Sequence, residues 1–309
     1  MQTILGSTGI IGKEVAKELF RSFTKDIRLV SRNPHPVNAT DQLFKADLLN
    51  RDQVFEAVKG SEIVYLTVGI QYSAKLWAEQ WPVIMRNVVE ACIAEKAKLV
   101  FFDNVYSYGK VDGVMTEETP YNPCSKKGKI RMQVINMMMQ EVEKGNLEAL
   151  IARAPDFYGP ETPLSFVNVT VFDNLAKGKK AQWMGNDRKK HSFIYTPDAG
   201  KATAILGNTP SAFNQVWHLP TDKNALTGKE FVELTAKAFG AKPDYMVIPV
   251  WMLKLIGLFN PIIKESVEMM YQNQVDYLFD SSKFEKAFRF HPTPYETGIN
   301  ETARSYKAY

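Results

Sequence analysis

The sequence predicts an α/β protein with a doubly wound parallel sheet and a smaller, mostly helical C-terminal lobe. Continuous apolar runs of strand length alternate with helical patterns over the first half of the chain, and such runs are typical of strands that are buried on both faces of a parallel sheet. A glycine-rich turn joins the first run to the first helical pattern. The alternation ends at Pro155, where we expect the second lobe to begin.

The predicted elements follow one another in a regular order. The strands are residues 1–5, 27–30, 43–46, 63–68, 99–102 and 149–153, and the helices are residues 10–22, 52–58, 74–95 and 125–144. Residues 192–206 and 215–219 look like further pieces of the first lobe, and helices dominate from Thr227 onward. We therefore assign residues 1–155 and 190–222 to the first lobe and residues 156–189 and 223–309 to the second.

Composition and charge narrow the class of partner. The 309 residues carry a formal net charge of +4, with acids and bases spread along the chain, so we expect a small-molecule partner, no nucleic acid and no membrane. The longest apolar stretch, residues 247–259, is interrupted by Pro249 and Lys254 and is shorter than the roughly 20 residues that span a bilayer.

Cys92 and Cys124 form no close pair, and no cluster with the histidines has a metal-binding spacing, so neither a disulfide nor a metal is expected. The strand pattern begins at Met1 without a targeting segment, which predicts a cytoplasmic protein.

The glycine-rich turn predicts a dinucleotide site in a Rossmann lobe. It lies between the first strand and the first helix. A tight glycine turn lets backbone amides approach a diphosphate, and the helix N-terminus adds partial positive charge. A glycine turn without a ligand is the alternative. The residues that we expect to contact the cofactor here are Gly6, Thr8, Gly9, Ile10, Ile11 and Gly12.

The end of the second strand indicates which dinucleotide binds. Ser31 and Arg32 stand where NAD-preferring folds usually carry an acid for the ribose 2′-hydroxyl, whereas an arginine suits a 2′-phosphate. NADP(H) is therefore expected ahead of NAD(H), unless Arg32 is only a solvated surface residue. Asp47 and Leu48 follow the third strand, where they either hold the adenine edge or cap a helix.

Further strings stand at characteristic places in this pattern. They are Ala46-Asp47-Leu48, residues 105–109 after the fifth strand, Arg153-Ala154-Pro155-Asp156-Phe157-Tyr158-Gly159-Pro160, and residues 192–202. Together with the glycine turn they resemble the extended short-chain dehydrogenase/reductases, the NAD-dependent epimerase/dehydratase group, over nearly the whole chain. The resemblance implies a Rossmann lobe, a smaller substrate lobe and nicotinamide chemistry. It also implies cofactor contacts from Thr67, Val68, Gly69, Ala154, Pro155 and Phe157.

The catalytic positions of that family are altered in this chain. The family carries a serine or threonine after the fifth strand and Tyr-x-x-x-Lys on the next helix; the tyrosine exchanges a proton with the substrate and the lysine holds the nicotinamide ribose. Asn104, Lys127 and Arg131 occupy the serine, tyrosine and lysine positions. Lys127 is then a candidate proton donor or base, Arg131 a candidate ribose and cofactor contact, and Asn104 a candidate partner of a substrate carbonyl. The alternatives are chemistry led by other residues and a solvated basic helix start on a non-catalytic protein.

Aromatic side chains are the candidates for a substrate pocket, although such a residue is more often part of the core than of a pocket wall. They are Tyr72, Trp77, Trp81, Tyr106, Tyr158 and Trp183. The apolar, methionine-rich residues 249–277 suggest a lipophilic substrate, and core helices have the same composition.

These patterns favour an NADPH-dependent reductase of a carbonyl or activated double bond. The second hypothesis is an epimerase or dehydratase that uses the cofactor transiently, and the third is a non-catalytic NADP(H)-binding sensor or assembly factor. The family commonly forms homodimers through the helices near residues 74–95 and 125–144. In the second of these, Met132, Ile135, Met139 and Val142 recur at helical spacing, which either a dimer interface or core packing explains.

Overall fold

The computed structural model describes residues 1–307 and confirms the α/β class. From Gln2 to Ala154 its elements are β1 (Gln2–Leu5), α1 (Ile10–Ser22), β2 (Ile27–Ser31), β3 (Gln42–Lys45), α2 (Arg51–Val58), β4 (Ile63–Leu66), α3 (Ala74–Glu95), β5 (Lys98–Asn104), β6 (Val114–Met115), α4 (Lys126–Glu143) and β7 (Ala149–Ala154). Those that follow are β8 (Asp156–Tyr158), α5 (Asp173–Ala176), β9 (Ala181–Met184), β10 (Lys190–His191), β11 (Phe193–Tyr195), α6 (Thr196–Gly207), β12 (Val216–His218), β13 (Leu226–Thr227), α7 (Gly228–Phe239), β14 (Tyr245–Ile248), α8 (Val250–Ile256), α9 (Pro261–Val267), β15 (Leu278–Phe279), α10 (Ser282–Phe288) and α11 (Tyr295–Lys307). Short 3-10 or π-helical turns occur at Asn168–Phe172, Pro210–Ala212 and Met270–Asn273.

Seven parallel strands form the large sheet, in the order β12-β7-β5-β4-β1-β2-β3. The strands of its centre are apolar and fully buried, as in Leu5, Val30 and Leu66, because helices cover both faces of a doubly wound sheet. The order of the strands reverses between β1 and β4. In sheets of this kind ligands bind in the crevice outside the carboxyl ends of the strands at that reversal.

The chain divides into two compact units. Unit 1 comprises Met1–Ser107, Lys126–Ala154 and Ala199–Leu219, and unit 2 comprises Tyr108–Ser125, Pro155–Asp198 and the chain from Pro220 onward. Compared with the lobes assigned from sequence, residues 108–125 and 190–198 fall in unit 2. The reason is strand pairing, since β6 pairs with β15 and β11 pairs with β8.

Unit 2 combines helices with four two-stranded sheets. The pairs are β10 with β13, β11 with β8, β14 with β9, and β15 with β6. Its core contains many aromatic rings, among them Tyr158, Trp183, Phe193 and Phe231. These short strands bring together segments that lie up to about 160 residues apart in the chain, as with Val114 and Leu278.

Candidate functional site

The glycine turn of unit 1 packs against the backbone that follows β4. Gly6 has a φ of +93°, and a Cβ atom there would lie 2.5 Å from the Cα of Val68. A Cβ atom on Gly12 would lie 2.8 Å from the carbonyl oxygen of Gly6. Only glycine therefore allows the turn to close this tightly over Thr67 and Val68.

The backbone amides in the first turn of α1 can bind an anion. Its N-cap residue is Gly9, which has no side chain to accept from the first amides, and the first turn contains no acidic residue. The first amides of a helix lack partners within the helix, and Thr8 and Gly9 are exposed. Ile10 and Ile11 open the helix directly behind them. The turn therefore fits the diphosphate of a dinucleotide.

The carboxyl end of β2 presents a cation. Ser31 is buried, and its hydroxyl oxygen accepts a hydrogen bond from the backbone N of Asn33 at 3.2 Å. The next residue, Arg32, is exposed. Gly6 and Ser7 donate backbone hydrogen bonds to the Val30 carbonyl oxygen at 2.9 and 3.1 Å, so the glycine turn and this strand end are neighbours.

Asp47 forms a turn and does not cap the helix that follows. Its Oδ1 accepts from the backbone N of Leu49 at 3.0 Å, whereas the N-cap of α2 is Asn50. Leu48 is buried, and its carbonyl oxygen accepts from the side-chain amide of Asn87 on α3 at 2.9 Å. The backbone here is therefore held in a fixed position beside the sheet.

The residues after β4 complete this side of the crevice. Thr67 is buried, and its hydroxyl donates to the carbonyl oxygen of Leu5 at 3.2 Å. Val68 lies against Gly6, and Gly69 is exposed with open space around its Cα. The six predicted residues of the glycine turn and these three residues therefore lie together at the carboxyl ends of β1 and β4.

A tyrosine pair follows β4 and β5. The hydroxyl of Tyr72 donates to the hydroxyl of Tyr106 at 3.3 Å, and both rings are half-buried. Asn104 ends β5, and its Oδ1 accepts from the backbone N of Tyr106 at 3.0 Å. Trp77 is buried and stacks on Tyr106 with an interplanar angle of 20° and ring centres 6.2 Å apart. Tyr72 and Tyr106 are thus available as wall residues, and Trp77 supports them from behind.

Lys127 is fully buried beside this pair. It lies on the first turn of α4, and its Nζ is 4.4 Å from the ring centre of Tyr72. The face of an aromatic ring attracts an ammonium group, most strongly where water is excluded. The structure thus brings Lys127, Tyr72, Tyr106 and Asn104 together in unit 1.

Arg131 lies one turn further along α4 and is committed to an ion pair. Its Nε and Nη2 donate to Oδ1 of Asp103 at 2.8 and 2.5 Å. Arg153 on β7 donates through Nε and Nη2 to Oδ2 of the same carboxylate at 3.2 and 3.0 Å. The ring centres of Trp81 and Phe101 lie 4.3 and 4.7 Å from the Cζ atom of the Arg131 guanidinium. Trp81 therefore covers this ion pair, which is its packing role in unit 1.

Asp103 is the residue of this region that sequence reasoning missed. It is 1% exposed and lies in β5 after the apolar run Leu99–Phe102. An acid in a buried strand requires a compensating partner. That single charge at the end of an apolar strand was the available signal; it predicts a compensating partner, and the structure identifies Arg131 and Arg153 as that partner.

Tyr158 and Trp183 lie in the core of unit 2. Each is 1% exposed and belongs to the aromatic core of unit 2. Tyr158 stacks on Tyr295, and burial raises the pKa of its hydroxyl well above the ordinary value, so this hydroxyl stays protonated at neutral pH. Trp183 lies against Phe193 and Phe231. Composition alone does not distinguish a core ring from a pocket ring.

The Arg153–Pro160 string is split between the units. Ala154 ends β7 in unit 1 and Pro155 begins the next stretch of unit 2, both buried. Phe157 lies in β8 and is half-buried.

Within residues 1–307, no group of three or more His, Cys, Asp or Glu side chains is placed to hold a metal ion. No helix in the same range combines the length and apolar character needed to cross a membrane.

Similarity to characterised structures is strongest at the level of the fold. A double mutant of dTDP-glucose 4,6-dehydratase from Streptomyces venezuelae, solved with NAD bound, aligns over 99% of this chain and 97% of that chain with a TM-score of 0.82 and 15% identity. UDP-glucose 4-epimerase from Thermus thermophilus, in complex with NAD, aligns over 99% of both chains with a TM-score of 0.80 and 17% identity. At these identities the likeness establishes the Rossmann fold only.

Sequence comparison gives the family. The uncharacterized protein y4nL of Sinorhizobium fredii is 30% identical over 181 residues, which are 56% of this chain and 49% of that protein. The uncharacterized protein y4nG of the same organism is 23% identical over 215 residues, 66% of this chain and 52% of that protein. The chain thus spans about half the length of the curated relatives that it matches. Residues 3–217 match the model of the NAD dependent epimerase/dehydratase family. The chain therefore belongs to the NAD dependent epimerase/dehydratase family.

Proposed function

We propose that this chain is an epimerase or dehydratase that uses its nicotinamide dinucleotide transiently on a small hydroxylated substrate. The observation that carries the proposal is the placement, within unit 1, of the glycine turn after β1 and of the Lys127, Tyr72, Tyr106 and Asn104 cluster after β4 and β5. The glycine turn and Tyr72 follow β1 and β4, the two strands at the reversal of strand order, and Asn104 ends β5, the next strand in the sheet. The family match supports this hypothesis better than the net reductase that the sequence patterns favoured.

The residues of unit 1 provide binding and orientation. The amides around Thr8 to Ile11 bind the diphosphate at the start of α1, and Gly6 and Gly12 make room for it. When bound, the dinucleotide supplies a reversible acceptor for a hydride from a substrate carbon. Asn104, held by its hydrogen bond to the Tyr106 backbone, orients a substrate oxygen near Tyr72 and Tyr106.

Lys127 is our candidate for moving the proton of that substrate oxygen. Oxidation of a hydroxyl releases a proton and the reverse step returns it, so one group has to accept and donate it in turn. Lys127 stands at the position of the family tyrosine, and its Nζ lies over Tyr72, whose hydroxyl contacts that of Tyr106. The lysine amine accepts the proton from the substrate oxygen and returns it in the reverse step, and the two tyrosine hydroxyls lie beside it at the half-exposed wall.

The Lys127→Met variant tests this role. Methionine keeps the length and apolar contacts of the buried side chain and removes its amine, so turnover should fall by about 100-fold or more. Dinucleotide affinity in calorimetry should stay within a factor of two, because the glycine turn is unchanged. Lys129→Ala, at an exposed site two residues along α4, is the matched control and should behave as wild type. Unchanged turnover of Lys127→Met would exclude the lysine as the proton carrier.

The type of reaction is tested by the balance between cofactor and product. Wild-type protein is incubated with dinucleotide and a panel of nucleotide sugars and simple hydroxy-ketones, while absorbance at 340 nm and proton NMR are recorded together. An epimerase or dehydratase forms product with no net change in absorbance. Stoichiometric loss of reduced cofactor would instead establish the reductase.

Arg32 supports the reductase as the second candidate function, because cells hold NADPH mainly for reductions. An exposed arginine at the end of β2 suits a ribose 2′-phosphate. If it binds that phosphate, NADPH binds at least about tenfold tighter than NADH, and Arg32→Ala removes the difference. Arg21→Ala, at an exposed arginine near the end of α1, is the control. Equal affinities in the wild type would refute the NADP(H) preference and favour NAD(H).

A further inference from the structure

A helical hairpin in unit 2 exposes an unusual number of large apolar side chains. It consists of α8, the connection at residues 257–260, and α9; we call residues 250–267 the apolar hairpin. Leu258, Phe259 and Ile262 are 73%, 91% and 72% exposed, and Trp251 is 60% exposed. Leu255 and Ile256 are exposed as well. Single exposed apolar residues are common, but a cluster of this kind marks an interaction surface.

Folding of unit 2 does not use these side chains. The inner face of the same hairpin packs through Leu253, Ile263 and Val267 against Ile248 and Met270. The hairpin is therefore apolar on its outer face in addition to the face that it needs for packing. An outer face that stayed in water would normally be polar.

Charge identifies the kind of partner. The apolar hairpin contains two lysines, Lys254 and Lys264, and one acid, Glu265. Both lysines line a cleft of about 120 Å³ between the helices, together with Leu258 and Val267. The helices cross closely because Gly257 has no side chain; a Cβ there would lie 3.1 Å from the Cα of Lys264. The cleft is thus cationic and lies next to the exposed apolar tip.

We propose that the apolar hairpin inserts into the surface of an anionic phospholipid bilayer. Leu258, Phe259 and Ile262 enter the acyl boundary, and Lys254 and Lys264 bind headgroup phosphates. A surface helix with lysines and a large apolar face is the pattern of interfacial membrane binding. Each helix of seven residues is only about 10 Å long, which matches insertion into the interface rather than across the bilayer.

This surface argues against the expectation of no membrane partner. That expectation depended on charges being dispersed along the whole chain and on the apolar stretch being too short to span a bilayer. The first argument averages over residues that do not share a surface, and the second does not apply to a segment that lies in the interface. The two lysines of the cleft beside an exposed apolar tip favour a surface that offers both phosphates and acyl chains.

Vesicle co-sedimentation of the full chain tests the proposal. Vesicles of pure phosphatidylcholine are compared with vesicles containing one quarter phosphatidylglycerol. We expect the wild type to pellet with the anionic vesicles, and Leu258→Ser/Phe259→Ser to bind at least tenfold more weakly. Lys254→Ala/Lys264→Ala should weaken the binding by about fivefold per lysine. Leu164→Ser is the matched control, since Leu164 is 87% exposed elsewhere in unit 2, and it should bind as wild type.

Tryptophan fluorescence gives an independent measurement. Trp77, Trp81, Trp183 and Trp217 are buried, and Trp251 lies on the exposed face of the hairpin. Anionic vesicles should therefore shift the emission to shorter wavelength, and brominated lipids should quench it. Trp251→Phe should abolish both changes while the variant still pellets.

The outcomes that would overturn the proposal are equally specific. They are no pelleting with either vesicle, pelleting that the hairpin variants leave unchanged, and a dimer in solution that Leu258→Ser/Phe259→Ser converts to a monomer. The last result would assign the face to self-association. None of these results bears on dinucleotide binding, which is measured separately in unit 1.

Discussion

The buried carboxylate of Asp103 accepts four hydrogen bonds. Two come from Arg131 to Oδ1 and two come from Arg153 to Oδ2. Both arginines and the acid are nearly inaccessible to water. The sequence resemblance predicts that Arg131 takes the place of the family lysine that holds the ribose. Its Nε and Nη2 donate within this ion pair, so Asp103 holds the guanidinium in place.

The variant Asp103→Asn tests how much the fold depends on this ion pair. The amide keeps the volume of the side chain but removes the charge that balances two buried guanidinium groups, so the free energy of unfolding should fall by about 3–5 kcal/mol. Urea unfolding without cofactor measures it. Glu148→Gln, which removes the partially exposed ion pair to Lys98 at the other end of β5, should cost about 1 kcal/mol or less. Equal costs for the two variants would contradict this account.

At the residue level, what could be predicted depended on whether the local sequence determines the role. The need for glycine at positions 6 and 12 follows from one short loop and is visible in the sequence. The burial of Tyr158 and Trp183 depends on rings such as Phe231 and Tyr295, which are distant in the chain. They lie in the core of unit 2, which is the alternative that the sequence left open, because no local pattern distinguishes the two environments.

At the level of elements, the glycine turn is the one on which cofactor binding depends. Gly6→Ala should abolish dinucleotide binding and lower the free energy of unfolding, because the new Cβ meets the Val68 backbone in addition to the strain of a positive φ. Gly113→Ala is a matched control, with a φ of +103° and open space around it. It should cost about 1–3 kcal/mol from strain alone and retain binding. Calorimetric titration and urea unfolding of both variants measure the difference.

The elements of unit 1 were predictable because their patterns are long. The predicted helices at 10–22 and 74–95 coincide with α1 and α3, and the strands of the large sheet agree to within a few residues. The region from Thr227 onward was predicted as helical, yet it also contains β14 and β15. Strands of two to four residues show no periodicity, and their partners β9 and β6 lie far away in sequence.

At the level of the whole molecule, the boundaries between units follow contacts rather than composition. Residues 108–125 interrupt unit 1 in the chain but belong to unit 2. The reason is the pairing of Val114 and Met115 with Leu278 and Phe279. A sequence that alternates strands and helices carries no mark of such an exchange, because a two-residue strand contributes too little to the pattern.

Self-association of the whole molecule through α3 and α4 stays a prediction. These helices pack on each other, and Met132, Met139 and Val142 remain half-buried on α4 while Ile135 is buried. If a second copy covers the half-buried residues, light scattering at micromolar concentration should give about twice the mass of 35.0 kDa. The variant Met132→Glu/Met139→Glu should then be a monomer, because each new charge would be buried in the interface without a partner. Leu258→Ser/Phe259→Ser should leave the dimer intact, because the apolar hairpin belongs to a different surface. A wild-type mass of 35.0 kDa would refute the dimer, and the half-buried methionines would then be explained by packing within the chain alone.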